Sequence, residues 1–253
     1  MYFLIGFLSF LWRLWFIFIN IFLVSFCGAI SIPFLFKEKY YPLAYHLHRI
    51  WGICNLWLMG IKYKIKKETV LCENQSYIIL SNHTSIMDIM LLYTLMNKHT
   101  MVFIGKAELS KIPFFGYVYK KSNILVHRKS CISGSRALRA AKIKIDLGRS
   151  ICIFPEGGVP KKSGALARFK EGAFILAIEK QIPLLLFSIY EMNIRFPNNL
   201  FKGGPGKVYI HRNAPIFTNG MTLSDKEILK KKCHLMIKNQ LKDFDRKKHE
   251  GNL

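Results

Sequence analysis

The sequence predicts an α/β protein: a largely parallel central sheet flanked by helices, preceded by a hydrophobic membrane helix or helical hairpin. Three observations carry this. Short β-prone apolar runs alternate with stretches at helical spacing, the pattern of strands joined by helical crossovers. Four of those runs stop in a polar punctuation: Asn82-His83, Lys106, His127-Arg128 and Glu156-Gly157-Gly158. Finally, from Met1 to Phe36 the only formal side-chain charge is Arg13.

Composition bounds the reading. A chain of 253 residues has room for one α/β domain plus an accessory segment, here 1–57 as a membrane-anchoring helical segment and 58–253 as the α/β domain. Hydrophobic residues make up 51% and mean hydropathy is +0.19, high for a soluble protein and low for one with many spans. The net charge of +23, from 38 Lys and Arg against 15 Asp and Glu, calls for a polyanionic partner, nucleic acid or anionic lipid. The six cysteines form no C-x-x-C pair, so reduced thiols are expected rather than disulfides or structural zinc.

Taken in order, Leu14 to Phe36 is 23 residues without charge, about 35 Å as a helix against roughly 30 Å of hydrocarbon. A signal peptide would need a basic start and a small-residue cleavage site, which this stretch lacks. One span, or a hairpin bent near Gly28 or Pro33 and entering one leaflet, both fit. Lys37 to Trp57 mixes Tyr40, Tyr41, Tyr45 and Trp51 with His46, His48 and Arg49. That mixture suits a headgroup zone, and equally an amphipathic helix packed on the domain. Ile61 to Lys66 alternates strictly and reads as a half-exposed strand with a basic outer face. Ser76–Leu80, Met101–Gly105, Asn123–Val126, Ser150–Phe154 and Ile182–Ile189 are core strands. Ser133–Leu147 and Phe169–Glu179 read as helices, Gly203–Gly206 as a turn and Lys207–His211 as a late strand. Ser224 opens a C-terminal helix with Asp225 and Glu227 in its first turn, which suits the helix dipole.

His83 falls on the turn between the Ser76–Leu80 strand and a helix carrying Ile86, Met87, Ile89 and Met90. Turns at the carboxyl ends of strands are where α/β sheets place their chemistry. With His83 in the loop and Ser85 capping the helix, Asp88 lies in the first turn and reaches back to the imidazole; Ser85-x-x-Asp88 fits a capping box with Asp for Glu. A carboxylate behind a histidine fixes its tautomer and stabilises the imidazolium. No Gly-x-Ser-x-Gly accompanies the pair, so a nucleophile would arrive with the substrate, as a hydroxyl. These eight residues also fit a capped helix with a hydrogen-bonded loop histidine. Four strand ends in a parallel sheet converge, however, and offer a base, several cations and free N–H groups in one cleft. Adjacent glycines let the backbone approach an anion, so a phosphate-bearing hydroxyl substrate fits. A non-enzymatic, membrane-tethered basic protein that binds nucleic acid fits the charge and leaves the four strand ends unexplained.

In combination these blocks resemble the 1-acylglycerol-3-phosphate acyltransferase (lysophosphatidic acid acyltransferase) family. Asn82-His83-Thr84-Ser85-Ile86-Met87-Asp88 matches its N-H-x₄-D block. Lys106-Ala107-Glu108-Leu109 through Ile112-Pro113-Phe114-Phe115-Gly116 matches K-x-E-L…I-P-F-F-G. Phe154-Pro155-Glu156-Gly157 matches the opening of F-P-E-G-T-R-S, and Ile182-Pro183 resembles its late block. Two positions depart from the pattern: Gly158-Val159-Pro160 stands where the family has Thr-Arg-Ser, and His127 stands at an acidic position before Arg128.

The resemblance implies a membrane-bound enzyme with its site on the cytoplasmic face of the cytoplasmic membrane, moving an acyl group to the 2-hydroxyl of lysophosphatidic acid. It assigns catalysis to His83 and Asp88, and phosphate or acceptor binding to Lys106, Arg128, Glu156, Gly157 and Gly158; the charge missing at Val159 falls to Lys161, Lys162 or Arg168, of which Lys161 is favoured. Glu156 is expected to brace one of those cations or orient the acceptor, and N–H groups near Gly157-Gly158 to hold an oxyanion. Implied partners are anionic membrane lipids and acyl-CoA or acyl carrier protein as co-substrate, with no nucleic acid, metal or organic cofactor. Another lysolipid acceptor, such as a lyso-amino-lipid, is the alternative that Val159 leaves open.

Overall fold

The computed structural model describes residues 2–127, 130–160 and 166–250. The chain opens with helix α1 (Tyr2–Ser31), turns through a short 3-10 segment at Ile32–Leu35, and returns as α2 (Tyr41–Leu58). There follow β1 (Ile61–Lys67), β2 (Ile78–Ser81), α3 (Met87–Leu95), β3 (Met101–Lys106), α4 (Phe115–Ser122), β4 (Ile124–Val126), α5 (Cys131–Asp146) and β5 (Ser150–Ile153). The chain ends with α6 (Gly172–Lys180), β6 (Leu184–Tyr190), α7 (Met192–Arg195), β7 (Gly206–Arg212) and α8 (Lys226–His249).

Among the described residues seven strands form one sheet in the order β1-β7-β6-β2-β5-β3-β4. Strands β6, β2, β5, β3 and β4 run in one direction; β7 is antiparallel to β6 and parallel to β1. The predicted α/β architecture with a largely parallel sheet is therefore what the chain forms. Every residue of β2 and β6 is buried, as expected of strands covered on both faces. At the edge, β1 exposes Lys62, Lys64, Lys66 and Lys67, and Tyr63 too.

The N-terminal helix runs unbroken through Gly28 and the chain turns at the segment containing Pro33. Gly28 serves a contact instead: a Cβ there would lie 3.1 Å from Cε1 of Phe114. Helices α1 and α2 form a hairpin, joined by Asn20 Nδ2 donating to Asn55 Oδ1 at 2.8 Å. Of the two readings of the aromatic–basic stretch, packing describes its inner face. Tyr41, Tyr45 and His48 are buried, and the two tyrosine hydroxyls donate to the carbonyls of Met101 and Met96, each at 2.8 Å. The outer face is apolar and open, with Leu43, Ile53 and Trp57 continuing the exposed Phe18, Ile21, Phe22 and Phe26 of α1. The stretch Phe3–Leu35 is long and apolar enough to cross a membrane.

Helix α6 starts at Gly172, three residues later than its periodicity predicts, and the segment before it is tied to the turn after β5. Ala167 donates to the Glu156 carboxylate and Lys170 to the Pro155 carbonyl.

The close approach of α2 to α3 gives a test of packing. A Cβ on Gly52 would lie 2.7 Å from the Met90 carbonyl oxygen, whereas one on Gly134 in α5 meets nothing within 4 Å. Gly52→Ala is expected to lower unfolding free energy by about 1–3 kcal/mol and Gly134→Ala to raise it by about 0.5–1 kcal/mol, read from denaturant titrations in detergent.

Candidate active site

The loop after β2 is fixed by polar anchors. Asn82 Nδ2 donates to the Ile189 carbonyl at 2.9 Å and its Oδ1 accepts the Ile189 N–H at 2.8 Å. The next residue, His83, presents Nδ1 to Asp88 Oδ2 at 3.0 Å. That same oxygen accepts the N–H groups of Thr84 at 2.6 Å and Ser85 at 2.8 Å. Asp88 is fully buried and His83 only 8% exposed. The predicted geometry is therefore present, with one correction. Helix α3 starts at Met87 with Ile86 at its N-cap, so only one half of the Ser85-x-x-Asp88 box forms: Asp88 accepts the Ser85 N–H, while Ser85 Oγ accepts from the Met87 N–H and donates to the Phe196 carbonyl.

Nδ1 is engaged, which leaves Nε2 as the nitrogen available for proton transfer. The imidazole stacks on Phe154 with ring centroids 3.9 Å apart. Its position borders an apolar cavity of about 610 Å³. His83, Lys106, Phe154 and Val159 border it together with Val24 of α1 and Val118 of α4. The N-terminal helix is thus a wall of the cavity.

Glu156 departs from the expected cation-bracing role. Its Oε1 accepts the His83 N–H and its Oε2 the Ala167 N–H, each at 2.8 Å. Burial raises its carboxyl above the ordinary range, while the N–H groups of Ala167 and His83 pull it down. Glu156 is a strap between the His83 loop and the segment before α6. Gly157, at φ +79°, also departs: its N–H donates to the Phe154 carbonyl at 3.0 Å and is spent on the turn. Lys106 ends β3 at the cavity, as expected. Arg128 and Lys161 lie outside the described residues. His127 Nδ1 lies 3.8 Å from Glu108 Oε1. Among the described residues no group of three or more His, Cys, Asp and Glu side chains could hold a metal ion.

Sequence reasoning missed the roles of Asn82, Phe154 and Phe196. Asn82 stood in the motif without a task, and no local pattern pairs it with Ile189, 107 residues away.

The model of the family described as Acyltransferase matches residues 62–189, the span that holds Asn82, His83, Asp88, Lys106, Phe154 and Glu156. A 1-acyl-sn-glycerol-3-phosphate acyltransferase of Borreliella burgdorferi is 31% identical over 178 residues, 69% of this chain and 70% of that one. The chain belongs to the acyltransferase family. A human relative, 1-acyl-sn-glycerol-3-phosphate acyltransferase beta, is 28% identical over 69% of this chain and 63% of its own length. The crystal structure of the 1-acyl-sn-glycerophosphate (LPA) acyltransferase PlsC from Thermotoga maritima superposes with a TM-score of 0.78 at 23% identity, covering 97% of this chain and 98% of that one. The fold of this acyltransferase, N-terminal helices included, is therefore one already seen in a crystal.

Glutamine at position 156 would set an amide NH₂ against one of two N–H donors. Glu156→Gln is expected to speed hydrogen exchange of the His83 and Ala167 amides about ten-fold or more, from about 1–3 kcal/mol of lost local stability. Mass-resolved exchange of peptides covering 82–88 and 166–171 reads this; unchanged protection would contradict the strap.

Proposed function

We propose that this acyltransferase moves a fatty acyl group from a thioester donor to the 2-hydroxyl of lysophosphatidic acid, yielding phosphatidic acid. The observation that carries the reading is a buried His83–Asp88 pair at an apolar cavity. His83 Nε2 removes the proton of the substrate hydroxyl while Asp88 holds Nδ1–H and stabilises the imidazolium. The alkoxide oxygen attacks the thioester carbonyl carbon, and the Gly158 N–H helps to bind the oxyanion. Collapse breaks the carbon–sulfur bond, and the departing thiolate takes the proton back from His83. No metal or organic cofactor enters these steps.

The cavity receives the acyl chain, whose methylenes leave water for apolar walls at about 0.8 kcal/mol each. Lys106, which borders the cavity, binds the phosphate together with Arg128 and Lys161. The donor is acyl-CoA or acyl carrier protein. The apolar outer face of α1 and α2 lies in the membrane, anionic headgroups attract the basic surface, and the site opens on the cytoplasmic side. Val159 in place of the family arginine favours a second reading, in which the acceptor is a different lysolipid.

Purified protein given a thioester donor is expected to release thiol only when lysophosphatidic acid is present; release independent of any lysolipid would reject acyl transfer. His83→Ala is expected to lower turnover by about 10²–10⁴-fold without changing co-sedimentation with vesicles. Lys106→Ala is expected to raise KM for lysophosphatidic acid far more than KM for the donor, and equal changes in both would refute its phosphate contact.

A further inference from the structure

Val159 leaves a gap in the charge around the acceptor. Its side chain forms part of the apolar cavity, so position 159 contributes a wall where the family has a guanidinium. The fold brings a different cation to the same turn. Gly157 has no Cβ, and one placed there would lie 2.7 Å from Lys170 Cε and 2.9 Å from Lys170 Nζ. The ammonium of Lys170 thus lies over the bare backbone of the glycine turn, in space that any other residue at 157 would fill.

Its position is built rather than incidental. The Lys170 N–H donates to the Pro155 carbonyl at 2.8 Å, and three residues earlier Ala167 is bonded to Glu156. Through the other oxygen of Glu156 the same strap reaches the His83 N–H. The loop carrying Lys170, the glycine turn and the base are therefore held as one unit.

The nearby carboxylates are already engaged. Glu171 takes Lys226 and Lys230, and both oxygens of Glu156 take backbone N–H groups. Among the described residues Lys170 has no ion-pair partner, so its charge is available to an anion from outside the chain.

We propose that Lys170 binds the phosphate of the acceptor from the Gly157 side, sharing with Lys161 the charge that an arginine at Val159 would otherwise bring. The proposal rests on the acceptor reading above. Phosphate also occurs in the thioester donor, and the two sources separate by kinetics. Lys170→Gln keeps the length of the stem and removes the charge. It is expected to raise KM for lysophosphatidic acid about ten- to hundred-fold, as for loss of a charge-assisted contact. The donor's KM and the slow acylation of phosphate-free monoacylglycerol are expected to stay within two-fold. Lys170→Arg should recover most of the loss, as should Val159→Arg placed in the Lys170→Gln background.

A KM increase confined to the donor, or shared equally by monoacylglycerol, would overturn the assignment, as would a KM for lysophosphatidic acid unchanged by Lys170→Gln. If the unaltered enzyme itself preferred a phosphate-free lysolipid, the acceptor reading would fall, and the role of Lys170 with it. Thermal unfolding of each variant, expected to match the parent, separates lost binding from lost structure.

Discussion

The arrangement depends on one buried carboxylate oxygen. Asp88 Oδ2 receives the His83 imidazole and two consecutive backbone N–H groups, and the residue has no exposed surface. A carboxylate taken out of water costs several kcal/mol unless its lone pairs are used. Here the compensating donors come from the very loop that must be ordered. The carboxylate stabilises the loop geometry, the geometry shields the carboxylate, and the imidazole is left with one nitrogen facing the cavity. Asn82 pins the loop to β6 on one side and Glu156 on the other, so the base rests on three strands of the sheet rather than on a free turn.

The N-terminal helix belongs to this machinery too. Its one charge, Arg13, is buried and donates from Nη2 to the carbonyls of Pro197, Asn199 and Lys202. The guanidinium carbon lies 3.6 Å from the centroid of the Phe196 ring, and the Phe196 carbonyl accepts the Ser85 hydroxyl. A chain of contacts thus runs from α1 through the 196–202 segment to the loop that carries His83. The charge that interrupts an otherwise apolar helix is explained by this docking, since Arg satisfies several carbonyls at once where a neutral residue would leave them bare. The opposite side of α1 and the outer side of α2 remain apolar and exposed.

That surface also bears on the meaning of the net charge of +23. The proposed attachment to an anionic membrane would use both the basic surface and the exposed apolar face, whereas nucleic-acid binding would use the charge alone. Several of the basic residues are already paired, among them Lys142, Lys144 and Lys180, so the charge that acts on partners is smaller than the formal count.

By itself the sequence determined the fold class, the strand runs and the His83–Asp88 pair, because these are written in local periodicity and in a five-residue spacing that a loop followed by a helix closes. It also located the ends of β2, β3 and β5 around the cavity, since polar residues directly after a buried strand have one rim to occupy. What the tertiary structure alone decided are the pairings across long separations. Glu156 looked like a partner for cations until its two oxygens were placed on the N–H groups of His83 and Ala167; Gly28 looked like a break until Phe114 was seen against it. Lys170 was invisible for the same reason: a lysine before a helix has no distinguishing local pattern, and it acquires a task only when the fold lays its ammonium over a residue without a side chain.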